Sequence, residues 1–194
     1  KMDTALQQYK LRTQELISGT NANEGTKTGI PTLDRITLGF HPGDLIILAA
    51  RPSVGKSALA LNCLVNAAKS SDKATVMFSL EMGVDQLTNR ILAATSGISI
   101  RKIQTASFNK EEELRVSKAI RDLQEMKIFI DETPAIKVIE MRAKLQKLQA
   151  AYGDIGLIVV DYIGLITPDF RSKKDNRSLE LGEISAALKA LARD

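Results

Sequence analysis

A Gly-Lys-Ser turn, set between an apolar segment and a helical pattern, constrains the fold of this chain more than any other feature. Residues 49–57 read AARPSVGKS. Residues 45–50 are apolar and predict a buried β-strand, and residues 57–69 carry apolar side chains at helical spacing. In a strand–turn–helix unit of this kind, backbone N–H groups at the helix N-terminus bind phosphate. A nucleoside triphosphate is therefore the first ligand that the sequence suggests.

Residues 50–57 fit the phosphate-loop pattern G-x-x-x-x-G-K-[ST], except that Ala50 stands at the first glycine position. In such a loop the lysine ammonium, here that of Lys56, reaches the terminal phosphates, and the hydroxyl of Ser57 binds Mg²⁺. We predict that the nucleotide is bound by Ser53, Val54, Gly55, Lys56, Ser57 and Ala58. The alternative is an ordinary strand-to-helix turn with a surface lysine.

The composition indicates a protein with a substantial core and no membrane segment. Of the 194 residues 44% are hydrophobic, yet no apolar run is long enough to span a bilayer. The charged N-terminal segment is unlike a signal peptide, and the single cysteine, Cys63, has no partner for an internal disulfide. We therefore expect a cytoplasmic location. The net charge of +4 permits an anionic partner without requiring one.

The N-terminal residues form a separate segment. A sparse apolar stripe predicts a helix at residues 3–17, within a linker-helix segment of residues 1–18. Residues 19–28 are rich in Gly, Thr and Asn, which predicts a flexible linker, and the main domain is expected over residues 29–194. The helix has two interpretations: it packs on its own domain, or it docks on a neighbouring subunit.

Strand and helix patterns alternate along the main domain. Asn109, with Glu112 three residues later, predicts a helix N-cap, and Leu114, Ile120 and Leu123 predict the inner face of that helix. The alternation predicts an α/β fold, a mostly parallel sheet with helices on both faces. Strands are expected at residues 45–50, 74–80, 127–131 and 156–166, and helices at residues 57–69, 109–126 and 138–152, with a further helix after residue 81.

Polar residues follow the predicted strands at their carboxyl ends, where ligands bind in open α/β sheets. That rule places Lys56, Ser57, Glu81, Asp131 and Asp161 near one edge of the sheet. Asp161 follows four apolar residues, the form of a Walker B strand, whose carboxylate holds the Mg²⁺ that Ser57 also contacts. The alternative is that Asp161 only caps the end of a strand.

Glu81 is the candidate for activating water. ATP hydrolysis requires a group that orients or deprotonates the attacking water, and a carboxylate at the end of a neighbouring strand is within reach. The alternative for Glu81 is a carboxylate in a surface turn. Asp131 lies in the turn sequence Asp-Glu-Thr-Pro and is interpreted as structural. Glu81 and Lys56 are therefore the predicted catalytic residues.

Five segments stand in a fixed order along the chain: ARPSVGKS, FSLEM (78–82), TPAIKVIEMRAKLQKLQAAYG (133–153), VDYIGLI (160–166) and EISAALKALAR (183–193). Together they resemble the C-terminal motor domain of replicative DNA helicases of the DnaB family, and the resemblance extends from residue 29 to residue 194. In that family alanine commonly precedes Arg-Pro-Ser, so Ala50 agrees with the resemblance, which also gives Glu81 the position of the catalytic carboxylate.

The resemblance implies a RecA-like P-loop ATPase that uses ATP and Mg²⁺. Such motors form homo-oligomeric rings, usually hexamers, around single-stranded DNA and translocate 5′ to 3′ to unwind duplex DNA at the replication fork. The ATP site would lie between subunits, and the helix at residues 3–17 would dock on the neighbouring motor domain. Primase and a helicase loader are implied partners of the parent protein, and the C-terminal part of the motor, with its sensor glutamine and arginine finger, is expected outside residues 1–194.

A basic loop at residues 170–177 follows the predicted Walker B strand. Its sequence FRSKKDNR offers four cations for sequence-independent binding of DNA phosphates, and a solvated surface loop is the alternative. Gly164 departs from the family, which often has glutamine there, so a polar contact is in doubt. The candidate DNA-binding residues are Arg171, Lys173, Lys174 and Arg177.

Two other functions fit parts of the sequence. A RecA- or RadA-like recombination ATPase would share the phosphate loop and Walker B strand, but is not expected to carry the segments at 133–153 and 183–193. A regulatory or loader module that binds nucleotide without hydrolysing it would have no need of Glu81.

Overall fold

The computed structural model describes residues 2–17, 25–51, 53–168 and 177–194. Its centre is a three-stranded parallel sheet in the order β2-β1-β3. The strands are β1 (Ala74–Ser79), β2 (Ile128–Asp131) and β3 (Ile155–Asp161). The helices are α1 (Met2–Ile17), α2 (Pro31–Thr37), α3 (Lys56–Ser70), α4 (Val84–Ser96), α5 (Ile100–Thr105), α6 (Lys110–Gln124), α7 (Val138–Tyr152) and α8 (Arg177–Arg193).

Strand β1 is the middle of the sheet, and all six of its residues are buried. Val76 pairs with Phe129 of β2 on one side and with Ile158 of β3 on the other. Because β1 is covered on both faces and both edges, a continuous run of apolar residues suits it better than an alternating one. The predicted strands at residues 74–80 and 127–131 are confirmed.

Helices cover both faces of the sheet. On one face, Val76 and Phe78 pack with Met141 of α7 and Leu188 of α8. On the other face, Met77 packs against side chains of α3 and α4, which are Leu61, Leu64, Leu87 and Ile91. The predicted α/β architecture is therefore confirmed.

The ends of two helices also agree with the sequence. Asn109 caps α6: its side chain accepts a hydrogen bond from the backbone N–H of Glu112, and the Glu112 carboxylate accepts one from the backbone N–H of Asn109. Helix α7 ends at Gly153, whose φ of 86° lies in the left-handed region that glycine adopts without strain.

The predicted strand at residues 45–50 is wrong for the described part of the chain. These residues form no strand or bridge with any described residue. Leu45 packs against the core, whereas Ile46, Ile47 and Leu48 are exposed, Ile47 by 67%. A parallel strand becomes buried only when neighbours pair with its backbone, and β3 forms the edge of the described sheet on this side.

Two smaller predictions are wrong in part. The strand expected at residues 156–166 ends at Asp161, and Ile163–Leu165 form a 3₁₀ turn. Of the residues expected on the inner face of α6, Leu123 packs against the core, whereas Leu114 is 72% exposed and Ile120 is also exposed. The buried residues of α6 are Val116 and Ala119, so the helix is confirmed but two of its three predicted inner residues are not.

Residues 25–28 are attached to the domain, although the sequence places them in the flexible linker. Thr26 and Phe40 form an isolated antiparallel bridge, and the Thr26 hydroxyl donates to the carbonyl of Gly156, 2.9 Å away. Thr28 is fully buried, and its N–H and hydroxyl both donate to Asp34. Residues 25–28 are therefore packed on the domain rather than free of it; residues 18–24 lie outside the described part of the chain.

Helix α1 runs from Met2 to Ile17, as the sequence predicts. Met2, Leu6 and Tyr9, spaced four and three residues apart, are all exposed. None of the described helices combines the length and apolarity that crossing a membrane requires.

Candidate active site

The phosphate loop leads directly into α3, which begins at Lys56. The backbone of Ser53 has a φ of 66° and that of Gly55 a φ of 107°, both in the left-handed region. A serine rarely adopts this conformation, and strained residues of this kind cluster at ligand sites. Gly55 stands at the N-cap of α3 and supplies no side chain to its first turn. Orphan N–H groups and the positive end of the helix dipole are therefore available to an anion.

The predicted nucleotide-binding residues are accessible. Ser53, Val54, Gly55 and Ala58 are exposed, whereas Lys56 and Ser57 are half-buried. The exposed part of the loop leaves room for a ligand above the helix N-terminus. Lys56 reaches the carboxyl end of β3, where it contacts Asp161.

Lys56 pairs with the carboxylate that ends β3. Its Nζ lies 2.9 Å from Oδ1 of Asp161, whose side chain is only 5% exposed. The contact has the distance of an ion pair but not the geometry of a hydrogen bond, since Oδ1 has no hydrogen-bond partner among the described residues. Asp161 therefore has a buried carboxylate oxygen that lies near a cation but accepts no hydrogen bond from the described residues. A metal ligand requires an oxygen that is free in this way.

Tyr162 completes the surroundings of Lys56. The Lys56 ammonium lies over the tyrosine ring, 4.7 Å from its centroid. The peptide bond between Asp161 and Tyr162 is cis. Tyr162 was not among the site residues predicted from the sequence, although it directly follows the predicted metal ligand.

The segment that leads to Glu81 pairs with Asp161 through the backbone of the sheet. Ser79 is opposite Asp161 in the register of β1 and β3, and the N–H of Leu80 donates to the carbonyl of Asp161 over 2.8 Å. The Ser79 hydroxyl then donates to the carbonyl of Met82, 2.6 Å away, and so closes a tight turn around Glu81. The Glu81 side chain is exposed. The sheet therefore brings the segments carrying Lys56, Asp161 and Glu81 to one edge, as the sequence predicts.

Glu132, directly after β2, forms a hydrogen bond with the segment that follows Glu81. Glu132 accepts a hydrogen bond from the backbone N–H of Val84, 2.8 Å away, at the start of α4, where Gly83 provides no side-chain cap. Glu132 was not among the site residues predicted from the sequence. The only available signal was its place directly after β2.

Asp131 is held within its own turn. Burial raises the pKa of Asp131, but hydrogen bonds from Lys144 and Thr133 outweigh it and leave the pKa below its ordinary value of 3.8. The N–H of Thr133 donates to the carboxylate over 2.9 Å, and Lys144 forms an ion pair with it. These bonds agree with the structural interpretation of Asp131.

The candidate DNA-binding loop is mostly outside the described structure. Arg171, Lys173 and Lys174 lie within residues 169–176, which the structure does not describe. Arg177 begins α8, where its guanidinium donates to the carboxylate of Glu180 and to the carbonyl of Gly164. Arg177 is therefore engaged in contacts within the domain.

A match to a known protein family covers most of the chain. The profile of the DnaB-like helicase C terminal domain matches residues 25–194. The chain belongs to this family. The match confirms the resemblance found in the sequence.

Individual members of the DnaB-like family are similar over most of the chain. Replicative DNA helicase DnaC of Bacillus subtilis (strain 168) is 43% identical over 100% of this chain and 44% of the relative. Replicative DNA helicase DnaB of Geobacillus stearothermophilus is 43% identical over 95% of the chain and 41% of the relative. The chain thus spans less than half the length of these two relatives.

Two solved structures have the same fold. One of them, an ATPase domain, superposes with a TM-score of 0.86 at 28% identity, covering 100% of this chain and 67% of that one. The other, a DnaB-like replicative helicase described with its interactions with primase, superposes with a TM-score of 0.83 at 28% identity, covering 100% and 45%. The fold is therefore the RecA-like α/β fold of these structures.

Proposed function

We propose that this chain is the ATP-hydrolysing motor of a replicative DNA helicase, which uses the energy of ATP to move along single-stranded DNA and unwind duplex DNA. The observation that carries the proposal is the ion pair between Lys56 and Asp161 in a chain of the DnaB-like family. This ion pair lies beside the carboxyl end of β1, and the chain continues from there to Glu81. A phosphate-binding lysine, a metal-binding carboxylate and a water-activating carboxylate are the three groups that phosphoryl transfer to water needs.

We propose that the triphosphate lies on the loop at the N-terminus of α3. The backbone N–H groups of the first turn bind its oxygens, and the Lys56 ammonium moves from Asp161 to the terminal phosphates. The contacting residues are those predicted from the sequence: Ser53, Val54, Gly55, Lys56, Ser57 and Ala58.

The residues around Asp161 fit a magnesium ion. Oδ1 of Asp161 is a buried acceptor with no hydrogen-bond donor among the described residues, and a carboxylate oxygen is the ligand type that Mg²⁺ prefers. Asp161 and the Ser57 hydroxyl would hold the ion. When bound, Mg²⁺ neutralises charge that develops on the phosphate oxygens.

Glu81 is proposed to orient and deprotonate the attacking water. Its exposed side chain follows β1 directly, and the turn closed by Ser79 and Met82 fixes the backbone that carries it. A carboxylate in this position acts on the water without binding the nucleotide. Binding and hydrolysis are therefore expected to separate when Glu81 is changed.

The proposal extends to the assembly in which the motor works. We propose a homo-oligomeric ring, a hexamer, in the cytoplasm, with α1 docking on the neighbouring motor domain. The exposed series Met2, Leu6 and Tyr9 gives α1 an apolar stripe suited to such a contact. Primase and a helicase loader are proposed to bind the whole protein; contact with primase is described for one of the structural relatives.

The free edge of the sheet supports a further expectation about the whole protein. Ile46, Ile47 and Leu48 are exposed, and β3 is an edge strand of the described sheet although its sequence, IGLIVVD, is that of a buried one. An apolar edge of this kind is ordinarily covered. We propose that a strand outside residues 1–194 pairs with β3 and buries this surface.

Strand displacement tests the function. The full-length protein is incubated with ATP and Mg²⁺ on forked DNA with both single-stranded tails, and on substrates that keep only the 5′ or the 3′ tail. We expect unwinding that requires ATP and a 5′ tail. ATP turnover that DNA does not stimulate, without strand displacement, would contradict the helicase assignment.

A further inference from the structure

The ring of Tyr162 and the carboxylate of Asp161 hold the Lys56 ammonium from two sides. Nζ lies 4.7 Å from the ring centroid and 2.9 Å from Oδ1 of Asp161. A cation within about 6 Å of an aromatic centroid is attracted by the negative face of the ring. The two contacts restrict a side chain that is otherwise flexible along its four-carbon stem.

The ring can occupy this place only because residue 164 is a glycine. A Cβ added to Gly164 would lie 2.5 Å from Cε2 and 3.1 Å from Cδ2 of Tyr162. Contacts below 3.0 Å do not occur at real Cβ atoms, so any side chain at position 164 displaces the ring. The φ of Gly164 is not in the left-handed region, so the ring, rather than the backbone conformation, requires the glycine.

The position of Gly164 is itself fixed. It belongs to the 3₁₀ turn Ile163–Leu165, which is closed by a hydrogen bond from the Leu165 N–H to the Tyr162 carbonyl over 3.0 Å. The Gly164 carbonyl also accepts from the guanidinium of Arg177 at the start of α8. The turn and α8 thus hold the surface against which the ring lies.

We propose that Tyr162 is a positioning residue for the phosphate-loop lysine and that Gly164 makes room for it. The ring covers one side of the ammonium and limits its rotamers, so less side-chain entropy is lost when Lys56 binds a phosphate oxygen. This role rests on the proposed function, in which Lys56 binds the terminal phosphates. It concerns residues of the chain that are in contact before any nucleotide is bound.

Acylation of Lys56 tests the contact without nucleotide. The nucleotide-free full-length protein is treated briefly with acetic anhydride, and labelling of Lys56 is measured by peptide mass spectrometry relative to the exposed Lys118 of α6. Tyr162→Leu removes the ring, Gly164→Ala displaces it, and Tyr162→Phe keeps the ring without its hydroxyl. We expect labelling of Lys56 to rise about two- to fivefold in the first two variants and to stay at the wild-type level in Tyr162→Phe.

Nucleotide binding gives the second readout. The KM for ATP is expected to rise about two- to fivefold in Tyr162→Leu and Gly164→Ala, with a smaller change in kcat, because the lost contact prepares binding rather than the chemical step. Unchanged labelling of Lys56 in both variants overturns the proposal, whatever the ATP turnover. If labelling of Lys56 increases in the two variants but the wild-type protein does not hydrolyse ATP, the positioning role is supported and the proposed function is contradicted.

Discussion

The ammonium of Lys56 lies 2.9 Å from Oδ1 of Asp161, so the first residue of α3 and the last residue of β3 are joined across the candidate site. Each group has a different partner in the proposed reaction: the lysine binds phosphate, and the carboxylate binds Mg²⁺. The ion pair must therefore separate when nucleotide and metal bind. Without ligands, it keeps a buried carboxylate beside a positive charge.

Asp161→Asn tests the division of these roles. The variant removes the charge that binds Mg²⁺ and releases Lys56 from its ion pair. The affinity for a fluorescent ADP is measured with Mg²⁺ and in EDTA. We expect the gain in affinity that Mg²⁺ gives to fall by roughly 10- to 100-fold, whereas the affinity in EDTA does not fall. Asp154→Asn, at the exposed residue before β3, is the matched control and is expected to behave as the wild type. A full Mg²⁺ effect in Asp161→Asn would remove Asp161 from the metal site.

Glu132 is expected to stabilise the segment that follows Glu81. Its carboxylate accepts the Val84 N–H at the start of α4, which the preceding Gly83 leaves without a side-chain cap. Glu132→Ala is expected to lower the free energy of unfolding by about 1 kcal/mol, as loss of a helix N-cap does. Glu132→Gln keeps an acceptor oxygen and should retain most of that stability. Equal denaturation midpoints for wild type and Glu132→Ala would show that the bond does not contribute.

The bonds of Asp131 predict a pH-dependent stability. Its folded-state pKa lies below 3.8, because hydrogen bonds from Lys144 and Thr133 favour the carboxylate over the acid. The stabilisation is therefore fully present above the unfolded-state pKa and disappears as the pH falls through the lower folded-state pKa. We expect Asp131→Asn to lower the free energy of unfolding by about 1–2 kcal/mol at pH 7, with the difference shrinking below about pH 4.

Denaturation of both proteins between about pH 7 and about pH 3 measures this difference. Asp122→Asn, at an exposed carboxylate of α6, is the control and should change the free energy of unfolding by less than about 0.5 kcal/mol. A difference between wild type and Asp131→Asn that stays constant over this range would mean that the ionised carboxylate is not the stabilising form.

Gly25 is expected to tolerate no side chain. A Cβ at this position would lie 2.6 Å from the carbonyl oxygen of Phe40, across the bridge that attaches residues 25–28 to the domain. Gly25→Ala should therefore lower the free energy of unfolding by about 1–3 kcal/mol. Gly182→Ala, in α8, meets no atom within 4 Å and should raise it by about 0.5–1 kcal/mol, because alanine favours a helix. Equal stability of the two variants would contradict the role given to the bridge.

Local patterns in the sequence predicted those parts of the structure that local forces decide. The capping box of Asn109 and Glu112 depends on residues three apart, and the end of α7 depends on one glycine. The grouping of Lys56, Glu81 and Asp161 followed from a rule for parallel sheets, in which every strand brings its carboxyl end to the same edge.

The sequence could not predict what depends on distant neighbours. Residues 45–50 have the composition of a buried strand, but pairing requires a partner strand, and none of the described residues supplies it. The apolar pattern of α6 also leaves open which of its residues face the core: Leu123 packs there, whereas Leu114 is exposed. Likewise, the ring of Tyr162 reaches Lys56 because of a close approach to Gly164 that no spacing rule contains.

ATP turnover by Glu81→Gln, measured together with nucleotide binding in the full-length protein, tests the central claim most directly. The substitution keeps the size and polarity of the side chain but removes the base, so Mg²⁺-dependent binding of ATP should stay within about threefold of the wild type. DNA-stimulated ATP turnover should fall by at least about 100-fold. Near-normal turnover in Glu81→Gln would contradict the account, because water activation at this edge of the sheet would then not depend on Glu81.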